Sequence, residues 1–142
     1  MKKRKVSNSE ELLLNIFWQE NIPLTSVDIF NISQKSMEAS SWSINYIHKM
    51  LTALLGKEML EICGFVKEGK KYVRQFLPCL SKEEYIADML DQQGINTASF
   101  AKIAMALVKK QDEKGADEKR DQLIVELEKM INEFEESKDK KN

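Results

Sequence analysis

Near residue 60 the apolar spacing of this chain changes period, and that change limits the folds open to it. From Ser40 to Leu60, Ile44, Ile47, Met50/Leu51 and Leu54/Leu55 recur at steps of three and four, the mark of a helix with one buried face. Ser40, Ser41 and Ser43 are candidate N-caps, because a serine hydroxyl can accept from a free first-turn amide. The intervening positions hold Asn45, Tyr46, His48, Lys49 and Thr52, which are hydrogen-bonding side chains of moderate length. Beyond Leu60 the order becomes strand-like: Leu60, Ile62, Phe65 and Val66, then Tyr72, Val73, Phe76 and Leu77. Between the two runs, Lys67-Glu68-Gly69-Lys70-Lys71 reads as a glycine-containing turn, so the pair predicts a hairpin with a basic tip.

Two helices precede this unit. Ser7 with Glu10 three residues on has the pattern of a capping box, followed by an apolar face of Leu12, Leu13, Ile16 and Phe17, with Trp18 near the end. Pro23 breaks that helix. Thr25 with Asp28 forms a second, weaker box, and Val27, Ile29, Phe30 and Ile32 supply a core face. Residues 33–40 form a polar connector. Three helices and a basic-tipped hairpin, in that order, describe a winged helix-turn-helix over residues 1–80. In that fold the third helix enters the DNA major groove and the wing touches the backbone. The candidate DNA contacts are Ser41, Ser43, Asn45, Tyr46, His48, Lys49 and Thr52 on the third helix, and Lys67, Lys70 and Lys71 on the wing. Asn45 suits adenine, and Lys49 suits guanine or phosphate. The arm from Lys2 to Lys5 adds further contacts or is a solvated terminus.

Residues 81–142 read as a helical region. Ser81 caps a helix carrying Glu83, Glu84, Tyr85, Ile86, Met89 and Leu90, closed by Gly94. Asn96 or Thr97 caps the next, with Phe100, Ile103, Ala104, Leu107 and Val108. Asp117 starts the last, in which Leu123, Leu127, Met130 and Phe134 alternate steps of four and three beside Ile124 and Ile131. These helices have little core of their own, so a homodimer is expected. Its contacts are Ile86, Met89, Leu90, Phe100, Ile103, Leu107, Leu123, Leu127, Met130, Ile131 and Phe134. The fold class is therefore mainly α with a small β hairpin: a winged domain and then a dimerisation region.

Charge follows the same division. Residues 1–80 carry 11 Lys+Arg against 8 Asp+Glu, and residues 81–142 carry 11 against 15. A basic working half and an acidic second half suit a nucleic-acid partner for the first. With one histidine, two cysteines and no glycine-rich phosphate loop, the sequence offers no metal set, cofactor cradle or nucleophile–base pair, so an enzyme is not expected. Cys63 and Cys79 read as two buried structural thiols, or as a redox pair across adjacent strands. No run approaches eighteen apolar residues, and no apolar segment follows the basic start. A cytoplasmic protein without membrane insertion is expected.

The order of short pieces resembles the bacterial repressors that include the penicillinase, methicillin-resistance and copper-responsive repressors. The pieces are Ile16-Phe17-Trp18; Leu24-Thr25 with Asp28-Ile29; Trp42-Ser43 followed by Ile47, Leu51 and Leu54; Gly69-Lys70 with Tyr72; and Glu83-Glu84-Tyr85. The likeness covers residues 6–90, and the tail by helix layout. It implies a homodimeric repressor on a palindromic operator in double-stranded DNA. In the penicillinase branch it also implies release when a membrane sensor with a metalloprotease domain triggers cleavage at an Asn–Phe bond. Ser99-Phe100 is similar to that site, with Ser99 where Asn would stand; alternatively Phe100 is a core residue of its helix. The cysteine-free tail does not match the copper branch. Where the family usually has Arg, Thr and Lys, this chain has Ala53, Tyr46 and His48, so its third helix is less basic. Glu11 stands where a large apolar residue is frequent. The rival reading is a winged helix that has lost strong DNA binding and pairs with a protein partner. A redox or metal sensor comes third.

Overall fold

The computed structural model describes residues 5–110 and 118–139. The Lys2–Arg4 part of the basic arm, the 111–117 loop with Asp117, and the Phe134 side chain lie outside what it describes. The chain forms two compact units, residues 1–85 and 86–142.

In the first unit, helix α1 (Asn8–Glu20) and helix α2 (Ser26–Ser33) each start on a complete capping box. Ser7 Oγ accepts from the Glu10 amide at 3.2 Å while the Ser7 amide donates to Glu10 Oε1 at 2.8 Å. Thr25 and Asp28 exchange the equivalent bonds at 3.1 and 3.0 Å, so the weaker-looking box is as complete as the first. Asn21 ends α1 in the left-handed region at φ 57°, which asparagine tolerates better than most residues. Val27 does not join the core face of α2; it is exposed, and Ile29 is the fully buried residue there.

Helix α3 (Ile44–Gly56) is capped by Ser43, whose hydroxyl accepts from the Tyr46 amide at 3.1 Å. It stops earlier than its apolar spacing predicts. Glu58 takes the left-handed conformation at φ 59°. The Met59 amide then reaches back to the Leu54 carbonyl at 2.9 Å, and the Glu58 amide to Leu55 at 3.1 Å. This paired closure satisfies the last carbonyls and brings Met59 against Leu54 in the core. The chain leaves directly into β1 (Leu60–Glu68).

β1 pairs antiparallel with β2 (Lys71–Pro78), Glu68 opposite Lys71. The turn is therefore only Gly69-Lys70; Lys67, Glu68 and Lys71, expected in the turn, belong to the strands. Gly69 sits at φ +63°, as the first central position of a two-residue hairpin turn of the glycine-first type requires. Register shifts once, between Ile62 and Gly64, where Cys63 is the extra residue of a bulge. The sequence reading missed a third strand segment. Leu24, between α1 and α2, exchanges backbone bonds with Phe76 at 3.2 and 2.9 Å and ties the hairpin to the helices.

The core of this unit is continuous. Leu13, Leu14 and Phe17 of α1, Leu24, Ile29 of α2, and Ile47, Met50, Leu51 and Leu54 of α3 meet Met59, Leu60, Phe76, Trp42 and Tyr85. Tyr85 lies on α4 (Lys82–Gln92), which starts on a third box between Ser81 and Glu84. Tyr85 packs against Trp18 with ring centroids 5.4 Å apart and donates its hydroxyl to Glu11 Oε2 at 2.9 Å. Glu11 thus has a polar partner where a large apolar residue is frequent in the family that the sequence resembles.

In the second unit, α5 (Thr97–Lys110) is capped by Asn96, whose Oδ1 accepts from the Ser99 amide at 2.8 Å. It packs on α6 (Glu118–Asp139) through Ala101, Leu127 and Ile131, with Ala104, Met105 and Val108 alongside. An exposed ion pair, Lys102 with Glu135 at 3.1 Å, spans the same two helices.

Candidate nucleic-acid interface

At about 100° per residue, the buried stripe of α3 occupies one side, and Asn45, His48, Lys49 and Thr52 fall within roughly a third of the circumference opposite it. All four are exposed, and α3 contains no acidic residue. The stripe itself is closed: Ile47 and Leu54 have no accessible surface. The helix is thus seated by its apolar side, and its polar side is free.

Each of these side chains has a defined capacity. Asn45 and Lys49 make no bond within the described residues, so their donors, and the Asn45 carbonyl, are available. Thr52 donates its hydroxyl to the His48 carbonyl at 2.9 Å, which leaves a methyl and lone pairs to present. Tyr46 stands off this arc; its ring meets the buried Trp42 edge-on at 6.3 Å, and 40% of its surface stays exposed. Ser43 is committed as a cap acceptor and keeps its proton to donate, and Ser41 is exposed in the preceding turn. That turn is fixed by Trp42 in the core and by Gln34 Nε2 donating to the Trp42 carbonyl at 3.4 Å. With no carboxylate in the first turn of α3, its positive end is not neutralised from within.

The C-terminal end of α3 is held by charge. Lys57, the C-cap, lies 2.6 Å from Glu10 Oε1, a carboxylate with only 7% of its side chain accessible. Burial by itself would raise the Glu10 pKa. The bond from Lys57, the bonds from Ser7 and the Lys57 charge outweigh it and hold the carboxyl below its ordinary value of 4.5.

The wing lysines do not share a face. Pairing puts Lys67 opposite Tyr72 and Phe65 opposite Arg74, on the side of the hairpin that carries Phe76. Lys71, opposite Glu68, lies on the other side, and Lys70 is at the turn. Arg74, which the sequence reading passed over, is exposed on the Phe76 side. It lines a groove of about 210 Å³ with His48, Ser26, Tyr72, Val73 and Phe76. The signal for it was parity alone: Arg74 is two residues from the buried Phe76, and so on its face.

The cysteines depart from expectation. Both are exposed and neither is in a disulfide. Cys79 donates its amide to Met59, while Cys63 lies at the bulge and its thiol reaches the Gln75 carbonyl at 3.5 Å. Four residues of extended chain, about 13 Å, separate their levels in the hairpin, too far for a bond between them. Among the described residues no group of three or more His, Cys, Asp or Glu gathers as a metal set, and no helix is long and apolar enough to cross a membrane.

The expected dimer contacts are divided. Leu127 and Ile131 are already used between α5 and α6. Ile86, Met89, Phe100, Ile103, Leu107, Leu123 and Met130 are exposed, and Leu90 is half-buried. Ser99 is half-buried and Phe100 exposed in the first turn of α5.

Three helices, a hairpin tied back through Leu24, and an outward polar face on the third helix make the first unit a winged helix-turn-helix of the kind found in transcriptional regulators. The chain belongs to the penicillinase repressor family, whose model matches residues 6–133. This is a family of repressors rather than enzymes. No curated protein matches the chain.

Proposed function

We propose that this chain is a homodimeric, sequence-specific DNA-binding repressor acting in the cytoplasm on a palindromic operator. The observation that carries the reading is α3: Ile47, Met50, Leu51 and Leu54 of its apolar stripe are buried, and its opposite face is exposed, hydrogen-bonding and free of carboxylates. On this reading Asn45 and Lys49 face base edges. Ser41, Ser43, Tyr46, His48 and Thr52 position the helix, and Lys67, Lys70 and Lys71 add backbone attraction.

Dimerisation rests on α5. It has two apolar stripes: Ala101, Ala104, Met105 and Val108 face α6, while Phe100, Ile103 and Leu107 remain exposed at steps of three and four. A second copy covers that outer stripe, and two-fold symmetry brings two α3 helices to successive major grooves. Release is by cleavage at Ser99-Phe100 under a membrane sensor system. That bond lies in the first turn of α5, where local opening costs least.

The test is binding of the purified protein to the DNA upstream of its own gene, against a random competitor, at two salt concentrations. Specific binding that weakens steeply with salt is expected. Absence of binding to either DNA at low salt refutes the reading and favours a protein-interaction module.

A further inference from the structure

The groove between α2, α3 and β2 differs from the outer face of α3. It is recessed, and residues of three elements line it: Ser26 at the start of α2, His48 at the edge of the exposed polar arc of α3, and Tyr72 and Arg74 on β2. Arg74 is not a loose surface cation. Its guanidinium carbon lies 5.4 Å from the centroid of the Phe76 ring, and Phe76 is a core residue held by Leu24. Stacking over a fixed ring restrains the guanidinium before any ligand arrives, which lowers the cost of using it. A side chain held back against the sheet does not stand out from the surface as the exposed Asn45 and Lys49 of α3 do. It faces whatever lies along the flank of α3, and for a helix in the major groove that is the phosphate strand bounding the groove.

We propose that Arg74, His48 and Ser26 form a binding cleft for one DNA backbone phosphate, with Tyr72 closing its side. The guanidinium supplies charge and planar donors, His48 a ring N–H, and Ser26 a hydroxyl. Arg74 is then the wing's principal phosphate ligand, and His48 positions the helix without reading a base. This rests on the DNA-binding reading above and assigns one contact within it.

Two variants of the full chain, Arg74→Gln and His48→Ala, test the cleft by titration against operator and random DNA over a range of salt. Thermal unfolding of each is checked first. Arg74→Gln weakens binding to both DNAs by a similar factor, about tenfold, and flattens the salt slope by about one unit. His48→Ala, which removes the ring N–H donor, also weakens both DNAs equally. Arg74→Lys, which keeps a charge in the cleft, retains the slope. A loss confined to the operator overturns the proposal, because it makes Arg74 or His48 a base reader. Unchanged affinity and slope in both variants overturn it while the repressor reading stands. If the wild-type chain binds neither DNA, both fall together, and the wild-type titration alone distinguishes that case. Should Arg74→Gln unfold, His48→Ala on the exposed side of α3 decides: an equal loss on both DNAs supports the cleft, and a loss confined to the operator or no loss at all overturns it.

Discussion

Replacing Lys57 with methionine tests what fixes the far end of α3. The substitution keeps most of the packing of the side chain and removes its charge. Glu10 is then a carboxylate with 7% of its side chain accessible, still bonded to Ser7 but without a counter-charge. Removing one member of a buried pair costs about 3–5 kcal/mol. Lys57 itself keeps 31% of its side chain in water, which screens the pair and lowers the figure. About 2 kcal/mol is the expected loss, in the range for a hydrogen bond to a charged group. For a unit of this size that corresponds to a fall in Tm of about 8–16 °C. Both tryptophans, Trp18 and Trp42, lie in the first unit, so their fluorescence reports its unfolding without the second. The pH dependence has a definite sign. Glu10 has a lowered folded pKa, so its contribution is complete above the ordinary 4.5 and is lost as pH falls through the lowered value. Lys57→Met removes two of the influences that lower this pKa, the Lys57 bond and the Lys57 charge, so Glu10 takes up its proton at a higher pH in the variant than in the wild type. The gap between the two proteins therefore narrows on acidification. A variant within about 0.5 kcal/mol of wild type at pH 7, or a gap independent of pH, refutes the tie.

Lys49→Ala is expected to weaken operator binding by about 1–3 kcal/mol, and Lys70→Ala to weaken all DNA and flatten the salt slope by about one. Salt-matched titrations check both, and an unchanged Lys49→Ala affinity removes it from base readout. Tyr85 has its pKa raised to about 12, first by burial and then by its bond to Glu11. A spectrophotometric titration shows one tyrosine ionising that late, and Tyr85→Phe abolishes the step; the step surviving in the variant contradicts the assignment. Leu107→Glu, on the outer stripe of α5, is expected to convert the dimer to a species of 16.5 kDa in sedimentation. A dimer that persists at micromolar concentration moves the interface elsewhere.

Elements were legible in the sequence where one local rule governs them. Ser7 and Glu10, Thr25 and Asp28, and the stripe of α3 needed only a cap or a period, and each appears where expected. What failed depended on partners distant in sequence. Leu24 was given no strand role because nothing nearby shows that its backbone bonds to Phe76, 52 positions on. Apolar periodicity carried α3 on to Leu60, since Met59 and Leu60 are buried; the chain turns there through a left-handed Glu58, a position where glycine is the usual marker. The turn came out too long because four charged residues around Gly69 look alike until register assigns Lys67 and Lys71 to opposite faces. For the same reason Arg74 was passed over. Its place in the groove follows from Phe76 beneath it and from His48 of α3 across from it, neither of which its neighbours in sequence announce.

These misses bear on how a weakly basic third helix could suffice. Reading α3 alone, the absence of arginine at Ala53 and of lysine at His48 suggests lost affinity. The fold supplies compensation that the helix does not contain. Ser43 and Trp42 fix its first turn, Lys57 and Glu10 its last, and Leu54 and Ile47 leave it no freedom to roll. A helix held in this way spends little ordering free energy on contact, so fewer charges reach the same affinity. Arg74 adds a restrained cation from the sheet, outside the helix altogether. On the proposed reading, affinity then depends on the scaffold, and specificity on Asn45 and Lys49. Lys57→Met, though far along the helix from those two, is then expected to weaken operator and random DNA alike at temperatures where the variant is fully folded. If only operator binding falls, the end of α3 sets base register rather than rigidity, and the compensation argument fails.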